Sequence, residues 1–569
     1  MVNLKAKPFY LDDSQIEWVQ STIARMTDDE KIGQLFCFNS LANATAAETY
    51  EELDSYGLKP CGFLLRGQPS RQLRQKIQDF QNHYEIPLFI CGDLDRGASN
   101  MITDGTPNGH QMEIGATGDP ELAYKAGLRT ATECAAVGTN WDFGPVVDID
   151  LNPYNPITNV RSFGSDADKV LTFARKIAQG MRDGGLTPCM KHWPGDGVDF
   201  RDQHFLASVN SLSVEEWWAT FGKVYQGLID DGMETLMSAH IHQPALARHY
   251  NPGIADQDLL PGSLNADLHN KLLRGEMGFN GLIITDATGM VGFNEVLPRE
   301  QAIPLCVANG ADIVLFSRNM KEDFEFLKKG VADGVVTMER VEEALQRILG
   351  LKAKMNLHIK KANGTLVPPE EALACFEDES RFALAEEIAD KGITLVKDVK
   401  NFLPLDVNTQ KELYIIPMGD VPGYHNPRGG YAKLFVEELE KRGFKCTVFD
   451  ASNPKEPYAT LPIAEFKKRY GAIIYFCNIE TNSGDSAARI SWPGGRTSIP
   501  QLISSVPMIM VSIDNPYHLI DCPRVPCYVN AYTSEDVVVK KLVEKLVGES
   551  SFKGVSPVDP FCGIFNARF

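Results

Sequence analysis

Gly281-Leu-Ile-Ile-Thr-Asp286-Ala287 is a short run of apolar and β-branched residues that opens on glycine and closes on a carboxylate. Such a run reads as a strand covered on both faces, with its polar end delivered to a surface. Seven more runs of this kind lie between residues 30 and 320: IGQLFCFN, CGFLLRG, PLFICGD, TNWDFGPVVDID, LTPCMKH, METLMSAH and ADIVLFS. The stretches between them carry helical periodicity. Eight strands alternating with helices predict parallel βαβ units closed into a (β/α)8 TIM-like barrel. In that architecture functional side chains sit at the C-terminal strand ends, which here read Asp93, Asp148, Lys191, His192, His240 and Asp286. Any one of them could cap a helix; their common placement predicts a site.

Further out, the chain punctuates itself. Thr27-Asp-Asp-Glu30 is a capping box that marks the start of an early helix. The last barrel helix is expected within VEEALQRILGLKAKMNL, which gives a barrel domain over residues 1–355. Residues 356–385, with KKANGTLVPPEE, have the glycine, double proline and charge of a linker. Over 386–569 the α/β pattern restarts with GITLVKD, ELYIIPMG, KCTVFD, AIIYFCNI, PMIMVSID and PCYVNAY. Six buried strands alternating with helices predict an open α/β/α sandwich. No glycine-rich phosphate loop follows its first strand, so no nucleotide and no other cofactor is expected.

Composition narrows the partners. The 569 residues carry 56 basic and 75 acidic side chains, a formal charge of −19 that disfavours nucleic acid and anionic membranes. No signal-like or membrane-spanning apolar stretch is read, so the expected location is cytoplasmic. The 12 cysteines lie mostly inside apolar runs with no CxxC pair, which predicts reduced core thiols.

Chemistry concentrates in Lys191-His-Trp-Pro-Gly-Asp-Gly-Val-Asp-Phe-Arg-Asp-Gln-His204. Gly195 and Gly197 suggest a mobile loop. Asp202 lies two residues before His204, close enough to fix the imidazole's tautomer and raise its basicity. Asp286, at the end of an apolar strand, is a separate carboxylate able to attack an electrophilic carbon. A carboxylate nucleophile plus a separate proton donor is the minimum equipment of retaining glycoside cleavage. A competing reading makes His192, Asp196, Asp202 and His204 ligands of a divalent metal, against which the flexible spacing speaks. No metal is therefore expected. A third is a sugar-binding protein without catalysis.

The same segment resembles glycoside hydrolase family 3, in particular its bacterial β-N-acetylglucosaminidase branch, with the pattern K-H-(F/I)-P-G-H-G-x4-D-(S/T)-H. It departs at Trp193, Asp196 and Gln203. PLFICGDLD resembles the family strand that ends in a sugar-binding acid, Asp93; NVRSFGSD gives Arg161; LMSAHI gives His240; ITDATGM resembles the nucleophile motif at Asp286. The resemblance implies a retaining, exo-acting β-N-acetylglucosaminidase. Asp286 would be the nucleophile and His204 with Asp202 the acid/base dyad. Asp93, Arg161, Lys191 and His192 would hold the terminal sugar. The implied substrate is a small β-GlcNAc oligosaccharide or muropeptide. A neutral imidazole leaves less negative charge beside the leaving group than a second carboxylate, so phosphate can compete with water as acceptor. Phosphorolysis and β-glucosidase action are the alternatives on the same scaffold.

Overall fold

The computed structural model describes residues 2–40, 43–422, 429–481, 483–484 and 486–569. They form two compact units. The first comprises residues 1–107, 123–149 and 167–381; the second comprises 108–122, 150–166 and 382–569.

In the first unit all eight expected runs contain a strand: β1 Phe36–Ser40, β2 Gly62–Leu65, β3 Phe89–Gly92, β4 Trp141–Asp142, β5 Cys189–Trp193, β6 Thr235–Ser238, β7 Leu282–Thr285 and β8 Val314–Leu315. Parallel pairing runs β8-β1-β2-β3-β4 in one sheet and β5-β6-β7 in another. Single parallel bridges, Trp141 to Thr187, Val146 to Lys191 and Ile284 to Ile313, join the two sheets at both seams. The ring is therefore a closed barrel. Its strand side chains are almost all sequestered, including Phe36, Phe63, Phe89, Trp141 and Ile284 at 0% exposure, as a barrel filled by its own side chains requires. The early helix Asp28–Gly33 starts on the expected capping box: the Glu30 amide donates to Thr27 Oγ1 and the Thr27 amide to Glu30 Oε2.

In the second unit the six expected strands form one sheet: β9 Thr394–Asp398, β10 Glu412–Gly419, β11 Lys445–Val448, β12 Ala472–Asn478, β13 Met508–Ser512 and β14 Cys527–Asn530. The order is β9-β14-β13-β12-β10-β11, parallel except for β9 against β14. Alternation divides the strands between two cores. Leu413, Ile415, Ile474, Phe476, Ile509 and Val511 pack with Phe435, Leu439, Val539 and Leu542 on one face. Tyr414, Ile416, Ile473, Tyr475, Met508 and Met510 pack with Tyr458, Phe466 and Tyr470 on the other. Each fully buried aliphatic or aromatic side chain contributes about 1.5–3 kcal/mol.

One expectation needs correction. The barrel segment does not run unbroken over 1–355: residues 108–122 and 150–166 join the second unit, where Met112, Ala116 and Val160 pack with Tyr517, Tyr532 and Val558. Residues 356–385, expected as a linker, hold a helix at Leu357–Ala362 and 3-10 turns at Glu370–Phe376 and Glu379–Phe382. Leu357, Val367, Leu373 and Phe376 are buried, so this stretch packs instead of spanning open solvent. The 12 cysteines are all free thiols, most of them buried. No described helix is long and apolar enough to cross a membrane.

Candidate active site

Lys191 and His192 lie in the C-terminal half of β5, so consecutive side chains present two different groups near the barrel mouth. Lys191 is 2% exposed and its Nζ meets Asp93 Oδ1 at 2.6 Å and Asp95 Oδ1 at 3.0 Å. A buried ammonium needs such partners, since an unpaired one would cost several kcal/mol. Asp93 and Asp95 both follow β3. Behind them Asp142, at the end of β4, is fully buried; burial pushes its carboxyl well above the usual range, and the charges of Asp95 and Asp93 add to the rise while Lys191 opposes it. Its Oδ1 accepts the Leu94 amide at 3.0 Å.

His192 is steered from below. Asp148 Oδ2 lies 2.6 Å from His192 Nδ1, and Asp148 Oδ1 accepts the amides of His192 at 3.1 Å and Asp196 at 2.8 Å. With Nδ1 donating to this buried carboxylate, Nε2 is left for a ligand.

Asp286 follows β7 and its amide donates to Ser238 O at 2.7 Å. The half-buried carboxylate accepts the Ala287 amide at 2.7 Å through Oδ1. Burial alone would raise its pKa; the imidazoles of His192, His240 and His204, with the Ala287 amide, outweigh that and hold it below the usual range. Asp286 is thus kept ionised, the state a nucleophile requires.

Around it stand two further imidazoles with opposite environments. His240 is fully buried, its Nδ1 is 2.8 Å from Ser263 Oγ and its Nε2 is 3.0 Å from the Ala287 carbonyl. Burial brings its pKa down to about 4, so it is neutral near pH 7 and donates from Nε2. His204 is 35% exposed, with Nδ1 2.6 Å from Asp202 Oδ1, which also accepts the His204 amide at 2.8 Å. Asp202 is itself buried. This is a half-exposed imidazole oriented by a buried carboxylate, an arrangement that leaves Nε2 for a ligand.

The loop that carries this dyad is packed and hydrogen-bonded at its start. Gly195 has φ +118° and a Cβ there would lie 2.2 Å from Phe221 Cδ1. The Trp217 indole donates to Pro194 O at 2.8 Å and Asn210 Nδ2 to Gly195 O at 3.0 Å. Glycine serves close approach here. Asp199, in the same loop, accepts Arg201 Nε at 2.8 Å and the Val209 amide at 2.7 Å.

The barrel unit therefore brings together Asp93, Lys191, His192, Asp202, His204 and Asp286 at its C-terminal strand ends and the loops that follow. Arg161 belongs to the second unit, ending the 3-10 turn Asn159–Arg161, with Nη1 donating to Ile157 O at 3.2 Å. Asp196 and Asp148 are linked through the Asp196 amide, and His192 and His204 each face a carboxylate; among the described residues no three such groups converge to hold a metal ion. Sequence reasoning left Asp95 aside and did not pair Asp148 with His192, because neither contact is encoded by spacing.

Residues 27–351 match the model of the Glycosyl hydrolase family 3 N terminal domain. The chain belongs to glycoside hydrolase family 3. Over its full length this family 3 enzyme is similar to a "Beta-N-acetylglucosaminidase/beta-glucosidase" of Cellulomonas fimi, with 41% identity over 567 residues and 99% of both chains covered. It is also similar to a solved β-glucoside phosphorylase bound to 2FGlc, with a TM-score of 0.93, 41% identity and 99% of each chain covered. A family 3 β-N-acetylglucosaminidase from Paenibacillus sp. str. FPU-7 shares the fold at a TM-score of 0.77 and 22% identity, covering 95% of this chain and 100% of that one.

Proposed function

We propose that this family 3 enzyme cleaves terminal β-glycosides of N-acetylglucosamine or glucose with retention, and that phosphate is the acceptor that releases the sugar. The observation that carries the reading is the dyad: a half-exposed His204 whose Nδ1 is tied to buried Asp202 at 2.6 Å. Asp286 attacks the anomeric carbon while the His204 imidazolium gives its Nε2 proton to the departing glycosidic oxygen. The C–O bond to the aglycone breaks as the ester to Asp286 forms, with inversion. Phosphate then attacks the same carbon from the face the aglycone left, the ester bond breaks, and the second inversion restores the β configuration. Asp93, Lys191 and His192 are the hydrogen-bonding partners of the sugar hydroxyls; a sugar-binding role for Arg161 rests on the family pattern alone.

Phosphate is favoured over water on two grounds. A neutral imidazole in the second step repels a dianion less than a carboxylate would. The C. fimi and phosphorylase relatives, similar to this chain over its whole length, span both sugars and include a phosphorolytic enzyme. Release of free GlcNAc by hydrolysis, the outcome implied by the signature, is the competing result. The test compares aryl β-N-acetylglucosaminide and aryl β-glucoside with and without millimolar phosphate. Sugar 1-phosphate is expected to dominate; free sugar at an unchanged rate would assign hydrolysis instead. Asp286→Ala should lose nearly all turnover, and His204→Ala about 10²- to 10⁴-fold on poor leaving groups and less on activated ones. Unchanged turnover in both variants would remove the site from the barrel mouth.

A further inference from the structure

We infer that Gln203, His240 and Gly292 form a clamp that fixes the general acid against the nucleophile, with Gln203 as its positioning residue. The inference rests on the roles of His204 and Asp286 proposed above and adds to them. Gln203 is 1% exposed although it neighbours the half-exposed His204. Its side-chain Oε1 accepts the His240 amide at 2.9 Å, and its backbone carbonyl accepts the Gly292 amide at 3.1 Å. One residue on, the His204 carbonyl accepts the Val291 amide at 3.1 Å. From His240 the chain of contacts continues to Asp286: His240 Nε2 donates to Ala287 O at 3.0 Å, and the Ala287 amide donates to Asp286 Oδ1 at 2.7 Å.

The acid's loop is thus joined to the nucleophile's loop by two routes, through the Gln203 side chain and His240, and through the Gln203 and His204 carbonyls. Gln203 stands where the resembling branch has serine or threonine, whose hydroxyl stops two bonds short of a glutamine Oε1. The tie is therefore particular to the residue this chain carries. Gly292 makes the approach possible, since a Cβ there would lie 2.9 Å from Gln203 O and 3.0 Å from His240 Cβ. Such a tie matters because proton delivery and attack must occur in one geometry, and small misplacements are expensive in rate.

Two substitutions reach the clamp independently. Gln203→Met keeps the length and removes the acceptor; Gly292→Ala removes no functional group and wedges the loops apart. The measurement is kcat/KM over aryl glycosides ranging from dinitrophenyl to phenyl, with thermal unfolding to verify folding and azide as an external nucleophile. Both variants should stay within about threefold of the parent on dinitrophenyl and lose about 10- to 100-fold on phenyl, the pattern of a misaimed acid. Azide should accelerate His204→Ala and neither clamp variant, because their imidazole still fills its place. If Gln203→Met does not fold, Gly292→Ala carries the test alone. An equal loss across leaving groups, or none, overturns the clamp. A His204→Ala enzyme indifferent to leaving group would instead overturn the acid assignment, so the two failures are distinct.

Discussion

At Asp142 the barrel buries a carboxyl beside two others, Asp93 and Asp95, with one ammonium between them. Lys191 meets Asp93 and Asp95 directly, and burial pushes the Asp142 carboxyl well above the usual range, toward its neutral form. A protonated carboxyl and a primary amide are close to isosteric. Asp142→Asn is therefore expected to keep activity within about threefold and stability within about 1 kcal/mol, the range of a volume-conserving change. Lys191→Met removes the buried ammonium that meets both Asp93 and Asp95 and should cost far more, about 3–5 kcal/mol. Urea unfolding of the two variants checks the contrast. At this scale the sequence was partly legible. Asp93, Lys191, His192 and Asp286 sit at strand ends that hydrophobic runs announce, whereas Asp95 and the Asp148 contact to His192 depend on neighbours 96 and 44 positions away. Nothing local marks such a pair.

Between residue and molecule lies the Lys191–His204 loop. Glycine is permissive, which suggests motion; at Gly195 it also serves a backbone conformation and a close approach that no side chain allows. A methyl at Gly195 meets the Phe221 ring at 2.2 Å with φ at +118°. Gly195→Ala should accordingly destabilise by about 2–5 kcal/mol through strain and overpacking together. Because the dyad rides on this loop, turnover of phenyl glycosides should fall at least about tenfold, as when an acid is displaced. Denaturant titration and leaving-group kinetics read both effects. Strands were the most legible elements: all fourteen runs named from apolar patterning contain one. The short helix Gln111–Ala116 escaped, since an apolar stripe such as that of Met112 and Ala116 says that a face is buried without saying in which core.

Over the whole molecule, buried titratable groups set opposing slopes in stability. His240, His269 and His518 are each brought down to about 4 by burial. Their neutral forms are favoured in the folded state, so each withdraws stability as pH falls from the unfolded value near 6.5 toward 4, at about 1.4 kcal/mol per unit. Glu113 behaves in the contrary sense. Burial raises it to about 8, with smaller contributions from Glu535 and Asp514 against a Thr533 hydrogen bond. An unfolded glutamate ionises near 4.5 while the folded one stays neutral, so stability is lost from about pH 4.5 up to 8 and is level above that. Glu113→Gln should thus raise the melting temperature at pH 8 and flatten the profile on that side, while leaving the acid-side fall in place. Calorimetry from pH 4 to 9 decides it; a profile that Glu113→Gln does not alter would mean the carboxyl is ionised in the native protein.

The second unit draws on three separated pieces of chain, 108–122, 150–166 and 382–569. During vectorial synthesis the first two leave the ribosome more than 300 residues ahead of Tyr517, Tyr532 and Val558, the side chains with which they pack. Until those residues arrive, Met112, Ala116 and Val160 have only one another as apolar company within their unit. A gene cut after the barrel would make that waiting permanent, so the natural place to divide this protein is not where its two halves meet in the sequence.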